Sequence, residues 1–392
     1  MPVTQPLHKS RLVRAAGALL VVVTLSACAS LLWPQAPQRT VQAPTPPAAP
    51  SAAPEAEPPA GPAPLRILAV GDIMLDASAR PVMQEQGYHY AFRQFRSMFE
   101  AADVVFGNLE GPLTARGTAD GDKTYLFRSP PFSASMALVL ANFRVVSLAN
   151  NHMLDYGAEG LADTMAALDV AGVAHAGAGR NLNEARKPAI VEASGRRIAF
   201  LAYSMTLPET FYATDARAGT AFGHEEQVRA DVAAARAGAD VVLVSFHWGQ
   251  EGSTRLREYQ VRLGRAAIDA GAAAVIGHHP HIVQSVERYR DGVILYSLGN
   301  FAFGSYSPRS TVGAVAELIV VGERVTALRM HPVNVNNFDV QFQPQRLEGE
   351  AARQAVDTLV LLARARGTEL SSDGGTAVLD LTTPAVESIP LP

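Results

Sequence analysis

Six short apolar runs in this chain end in residues that can bind a metal or move a proton. The run 65–70 stops at Gly71-Asp72, 104–106 at Gly107-Asn108-Leu109-Glu110, and 145–149 at Asn150-Asn151-His152. The run 241–246 stops at His247-Trp248-Gly249, 273–276 at Gly277-His278-His279-Pro280-His281, and 293–298 at Gly299-Asn300. Carboxylates, neutral imidazoles and amide oxygens converging on one point make a divalent metal site, suited to Mn, Fe, Zn or Mg. His279-Pro280-His281 is the sharpest of these strings. In extended backbone, residues i and i+2 face the same way, so both imidazoles are expected to face one cavity, with Pro280 fixing the chain between them.

These residues need elements to hold them. Runs rich in Val and Ile, bounded by turn residues, read as buried strands. Between them, 158–171 has apolar spacing at Leu161, Met165 and Leu168 and stops at Gly172; 225–237 stops at Gly238 and 255–270 at Gly271. Glycine just past the last turn is a helix stop. Strand–helix alternation implies a layered α/β fold, with the polar residues at the carboxyl ends of strands, where open α/β sheets place their ligands. From about Thr311 the pattern becomes a hairpin over 312–333 turning at Gly322-Glu323, then a late helix over 351–366; the tail from Gly367 carries few signals. The 392 residues are 48% apolar, enough for one large core or two unequal ones.

The N-terminus reads as an address. Lys9, Arg11 and Arg14 precede an apolar stretch at 15–25, and Ser26 and Ala27 precede Cys28, which is the plan of a secretory signal over 1–27. The apolar stretch is too short for a membrane-spanning helix. Cys28 is the single cysteine, so a disulfide within the chain is excluded. Leu25-Ser26-Ala27-Cys28 resembles the bacterial lipobox, which implies cleavage before Cys28, acylation of its thiol and attachment to the membrane; an ordinary signal with an incidental Cys is the competing reading. Ala29, rather than Asp, directs the expectation to the inner leaflet of an outer membrane, facing the periplasm, in a cell that has one. Residues 31–64 carry eleven prolines in 34 positions, which favours extended polyproline geometry over a core. At ~3.1 Å per residue this linker reaches roughly 100 Å. The formal charge is −4, and residues 1–27 hold three cations and no acid, leaving −7 for the rest. Such a surface does not favour nucleic acid.

The strings Gly71-Asp72-Ile73-Met74-Leu75, Asn108-Leu109-Glu110, Asn150-Asn151-His152-Met153-Leu154-Asp155-Tyr156-Gly157, His247-Trp248-Gly249, Gly277-His278-His279-Pro280-His281 and Tyr296-Ser297-Leu298-Gly299-Asn300-Phe301 carry a family likeness. In that order, over residues 65–305, the chain resembles the CapA-type family of poly-γ-glutamate capsule biosynthesis, within the metallophosphoesterase (calcineurin-like) superfamily. The resemblance implies central β-sheets flanked by helices in a domain over 65–335, with a C-terminal helix and tail over 336–392. It implies Asp72, Glu110, Asn151, His247, His279 and His281 as ligands of one or two divalent ions, with Glu110, or less readily Asn108, as the bridging carboxylate. His152 is implied to contact the leaving group and Asp155 to orient it through the other ring nitrogen. Asn108, Asn150 and Asn300 are expected around these ligands. Two departures stand out: the superfamily carries Asp-x-His on its first strand where this chain has Asp72 and Met74, and Gly107-Asn108-Leu109-Glu110 replaces the usual Gly-Asp.

Plainer readings compete residue by residue. His247 alone reads as a hydrogen-bonded core histidine, His278 as a spacer, Asp72 as a turn residue, Asp155 as a helix N-cap and Asn300 as a strand cap. Phe301 and Phe303 read as packing, Glu251 as a neighbour of the site, and Lys123 and Arg128 as a solvated loop or a contact for an anionic substrate. Three functions stay open. The first is a metal-dependent hydrolase of a phosphoester or related bond in an envelope polymer. The second is an accessory subunit that binds or exports an anionic polymer such as poly-γ-glutamate beside membrane synthetase partners. The third is a metal-dependent amide hydrolase of a γ-glutamyl or peptidoglycan bond.

Overall fold

Leu65, Ile67 and Ala69 on one face of the first strand, and Leu68 and Val70 on the other, are all fully buried. A strand covered on both faces reads as a continuous apolar run, and the architecture supplies both covers. The computed structural model describes residues 63–382; the signal segment, Cys28 and nearly all of the linker lie outside the described residues. The first strand, Leu65–Met74, lies between Val104–Leu109, which is parallel to it, and Val312–Val321, which is antiparallel. Beyond Val104–Leu109 come Phe143–Ser147 and the edge strand Ala174–Ala176, both added in parallel. A second sheet runs in the order Val286–Tyr289, Gly292–Leu295, Ala274–His278, Val241–His247, Arg196–Ser204, Ala189–Ala193. Its four inner strands are parallel.

The two sheets pack face to face. Ile67, Phe106 and Val145 of the first meet Phe200, Leu243 and Ile276 of the second in one buried cluster, with the Phe106 and Phe200 rings stacked at 5.2 Å. Burying side chains of this size contributes roughly 1.5–3 kcal/mol each. The outer face of the first sheet is covered by Leu138, Leu161 and Leu168 from the helices Pro131–Leu140 and Gly157–Ala171. The outer face of the second is covered by Val228 and Leu263 from the helices Glu225–Arg236 and Glu258–Asp269. The result is a mixed α/β fold of two central sheets flanked by helices.

Gly71 is required where the first strand meets Asn300–Phe303. A Cβ at Gly71 would stand 1.9 Å from the Gly299 carbonyl oxygen, closer than any contact allows, and register shifts on both sides of this point. The bare backbone lets Asp72 N–H donate to that carbonyl at 3.0 Å.

The expected hairpin forms as Val312–Val321 and Arg324–Asn334 around Gly322-Glu323. Two features were not legible. The strand Arg196–Ser204 ends in no ligand-like string, so a reading keyed to polar strand ends passed over it. In the stretch from Gly367, Ser371–Asp373 and Thr376–Asp380 continue the first sheet beside Arg324–Asn334. The late helix, Gly349–Arg364, puts Val356, Leu359 and Ala363 into the intersheet core. Among the described residues no helix is long and apolar enough to cross a membrane.

Glu317, on the hairpin, is buried between Arg66 (Nε to Oε1, 2.6 Å) and His331 (Nε2 to Oε2, 2.9 Å). The His331 hydrogen bond, with Arg66 and against the cost of burial, holds its carboxyl down to about 2. A depressed carboxylate stabilises the fold above its ordinary value, 4.5 here, and that contribution is lost as pH falls through about 2. The melting-temperature gap between wild type and Glu317→Gln is therefore expected to be widest above pH 4.5 and to close toward pH 2. A gap constant across that window would show that the charge is not its source.

Candidate metal centre

Strand register assembles the site. Asp72 lies opposite Asn108 on one side and Asn300 on the other, and His278 lies opposite His247. All are buried. Asn108 is the hub: its Nδ2 donates to Asp72 Oδ1 at 2.9 Å and to Glu110 Oε2 at 3.3 Å, and lies 3.2 Å from His247 Nδ1. Asn150 Nδ2 donates to Asn108 Oδ1 at 3.1 Å, and Asn150 Oδ1 accepts from the His152 N–H at 3.1 Å. Asn151 Oδ1 lies 2.8 Å from His247 Nε2. His281 Nδ1 is 3.1 Å from Asp72 Oδ2 and 2.9 Å from Asn300 Oδ1.

Two trios built on buried carboxylates result, Asp72–Glu110–His281 and Glu110–His247–His279, each with its ligand atoms within 4.8 Å of one another. Glu110 belongs to both. Its Oε1 is buried and has no hydrogen-bond partner among the described residues; His247 Nε2 stands 3.7 Å away and His281 Nε2 3.8 Å. Those gaps are too long for hydrogen bonds. Donors about 2.0–2.2 Å from a shared ion, however, sit roughly 3–4 Å from one another. His279 Nδ1 is likewise buried without a partner. Orphaned buried donors are costly, and a divalent ion is the group that satisfies a carboxylate oxygen and imidazoles at these separations. The residues present fit such an ion.

Electrostatics prepare Asp72, His247 and His279 for an ion, whereas Glu110 and His281 must each give up a proton to bind one. Burial lowers His247, and neighbouring His279 lowers it further. Burial and His281 bring His279 down to about 3. Both imidazoles are thus neutral, as ligands must be. Burial and the charge of Asp72 push Glu110 well above the usual carboxyl range. Burial opposes the charge on Asp72 too, but His278 and His281 hold it well below its ordinary value. Burial opposes the charge on His281, yet Glu110 and Asp72 raise it to about 9.

Beside this cluster His152 Nδ1 is 2.8 Å from Asp155 Oδ2. Asp155 Oδ2 also accepts the Phe127 N–H at 2.8 Å. The helix after it starts at Gly157 with no side-chain cap, so Asp155 serves His152 and not a helix end. Lys123 Nζ reaches Asp155 Oδ1, the Asn151 carbonyl and, at 3.1 Å, His152 Nδ1. Lys123, expected in a solvated loop or against an anionic substrate, has its ammonium engaged by Asp155 and the Asn151 carbonyl beside His152.

Other expectations change. His279 and His281 have φ of 93° and 58°, so the segment is a tight left-handed turn and not extended chain. The two rings still face one site, 5.9 Å apart, because the turn lets the His279 N–H donate to Asp72 Oδ2 at 3.3 Å. His278, read as a spacer, is fully buried with Nδ1 3.4 Å from Asp72 Oδ1; strand alternation gives it that direction. Asp72 sits inside a strand and caps no helix. Phe301 packs with Phe92, Phe95 and Phe99, whereas Phe303 lies 4.6 Å from the His281 ring. The Met74 sulfur accepts the Asp76 N–H at 3.3 Å.

Comparison with known proteins follows this geometry. The chain is similar to the capsule biosynthesis protein CapA of Bacillus anthracis, 31% identical over 277 residues, 69% of this chain and 67% of that protein. It is similar to the PGA biosynthesis protein CapA of Bacillus subtilis (strain 168), 32% identical over 269 residues, 68% and 70% of the two chains. Among solved structures it is similar to the NAD nucleotidase of Haemophilus influenzae, with a TM-score of 0.43 and 13% identity, covering 76% of this chain and 62% of that one. It is also similar to the calcineurin-like phosphoesterase YfkN of Bacillus subtilis, with a TM-score of 0.39 and 14% identity, covering 65% and 85%. Residues 66–305 match the family model described as bacterial capsule synthesis protein PGA_cap, and the chain belongs to that family.

Proposed function

We propose that this protein is a metal-dependent hydrolase of a phosphoester or related bond in capsule or poly-γ-glutamate metabolism, held at the cell envelope through Cys28. The observation that carries the reading is Glu110, which belongs to two donor trios and whose buried Oε1 has no hydrogen-bond partner among the described residues. Asp72, Glu110 and His281 would hold one ion, and Glu110, Asn151, His247 and His279 a second. A divalent metal bound there would polarise the scissile phosphoryl group and supply a nucleophile at neutral pH. His152, held through Nδ1 by Asp155, would present Nε2 to the leaving oxygen; burial lowers its pKa, so Nε2 must first take up a proton from solvent before it passes that proton to the leaving oxygen. Lys123 keeps Asp155 and the Asn151 backbone in place beneath that ring. Capsule chemistry enters through the names of the CapA relatives.

The test is metal analysis of the purified protein with hydrolysis of an aryl phosphodiester and monoester in added Mn. Near two equivalents of bound metal with turnover supports the proposal. Metal binding with cleavage of γ-glutamyl amides alone would move the activity to amide hydrolysis. No metal and no turnover would leave an accessory, polymer-binding role, which the occupied sulfur of Met74 in place of a first-strand histidine favours. Anchoring has its own test. Acyl chains add about 0.8 kcal/mol per buried methylene, so Cys28→Ser is expected to move the protein from the detergent-extracted to the soluble fraction. Continued membrane retention of that variant would sink the lipid anchor.

A further inference from the structure

The donor set has one gap on the first strand and one carboxylate that neither ion has yet claimed. Asp72, Glu110 and His281 form a trio, but the first strand contributes nothing more, because Met74 follows Asp72 and its sulfur is engaged by the Asp76 N–H. A thioether is in any case a weak donor for a hard cation. Glu251 is exposed, in the loop after Val241–His247. One of its carboxylate oxygens and a ring nitrogen from each of His279 and His281 all lie within 4.8 Å of one another. The loop is tied to the turn that carries those histidines on both sides of Glu251: Trp248 N–H donates to the His278 carbonyl at 3.1 Å, and Gly252 N–H to the Pro280 carbonyl at 2.9 Å. Glu251 is thus held at the mouth of the site by backbone bonds that do not involve its side chain.

Charge gives this position a purpose. Asp72 and Glu110 are the two buried carboxylates of the trios, and two divalent ions would leave them outweighed. A third carboxylate brings the cluster closer to neutrality before substrate enters.

We propose that Glu251 is a metal ligand, donating from the solvent side beside His279 and His281 and adding a carboxylate to a centre whose first strand supplies none beyond Asp72. The inference rests on the metal-centre reading above. It makes the loop 248–252 part of the site and gives the centre one exchangeable, solvent-facing carboxylate beside buried, fixed ligands.

The test is titration of the metal-stripped full chain with Mn by calorimetry, and with Co by its visible d–d absorption, for wild type, Glu251→Ala and Glu251→Gln. Hydrogen-bonding partners of ligands are worth ~10–100-fold in affinity, and a direct ligand is expected to be worth at least as much. Both variants should therefore bind one equivalent of Mn at least ~10-fold more weakly, and at saturating Co their spectra should differ from wild type. Unchanged affinities, or an unchanged spectrum at saturation, overturn the assignment of Glu251 while a metal-binding wild type leaves the centre standing. A wild type that binds no metal overturns both. Glu251 is exposed in a turn, so its substitution is expected to leave the melting temperature unaltered and the comparison interpretable.

Discussion

Glu110→Gln is expected to lose both metal equivalents while the metal-free protein stays as stable as wild type. The two halves of that result come from one fact. Glu110 is fully buried and its Oε1 has no hydrogen-bond partner among the described residues, so in the absence of an ion its one long hydrogen bond, from Asn108 to Oε2 at 3.3 Å, is set against a desolvation cost. An unsatisfied buried polar atom costs about 1–3 kcal/mol, and the amide is a neutral replacement for a carboxyl that burial already drives toward its neutral form. The residue lies in both donor trios, so no other single side chain removes a charge from both. Affinity is expected to fall by at least ~100-fold, more than loss of an outer hydrogen-bond partner causes, read by calorimetry on metal-stripped protein. Thermal unfolding without metal supplies the second readout. A variant that keeps its metal but unfolds earlier would make Glu110 a structural residue and dissolve the two-ion arrangement.

His152→Ala is the complementary case, sparing metal and lowering turnover. General acid catalysis is worth ~10²–10⁴-fold, or about 3–5 kcal/mol of barrier. His152 is absent from every metal-capable trio among the described residues, and its Nδ1 is committed to Asp155. The loss should depend on the leaving group: nearly complete for a poor one that needs a proton, small for a nitrophenolate that does not. A uniform loss across leaving groups would mean that the ring orders the site without donating a proton. Loss of metal would move His152 among the ligands. Asp155→Asn is a poorer probe, because Asp155 also accepts the Phe127 N–H and pairs with Lys123, so its removal disturbs the loop as well as the histidine.

The sequence by itself determined the chemistry available and the ends of strands at which it sits. Runs such as 65–70 and 241–246 carry that information locally, because a strand buried on both faces must be apolar throughout and the first polar residue after it marks where the sheet ends. Asp72, Glu110, Asn151, His247, His279 and His281 were therefore legible as a set, and the family resemblance assigned their roles.

Tertiary structure decided what depends on two distant segments meeting. Sheet register set Asp72 beside Asn108 and Asn300, and His278 beside His247. It also turned His278, a residue with no local signal beyond its type, toward Asp72. The left-handed backbone at His279 and His281 could not be read from Pro280, because a proline biases the residue before it toward extended backbone and tertiary contacts override that bias here. Lys123 reaches His152 across 29 residues and Glu251 reaches His281 across 30. Those separations lie far beyond the three- or four-residue spacing at which helical side chains meet and the two-residue spacing of a strand face. Local periodicity thus reveals which residues can bind or catalyse, whereas the packing of loops over a rigid sheet edge settles which of them face one another.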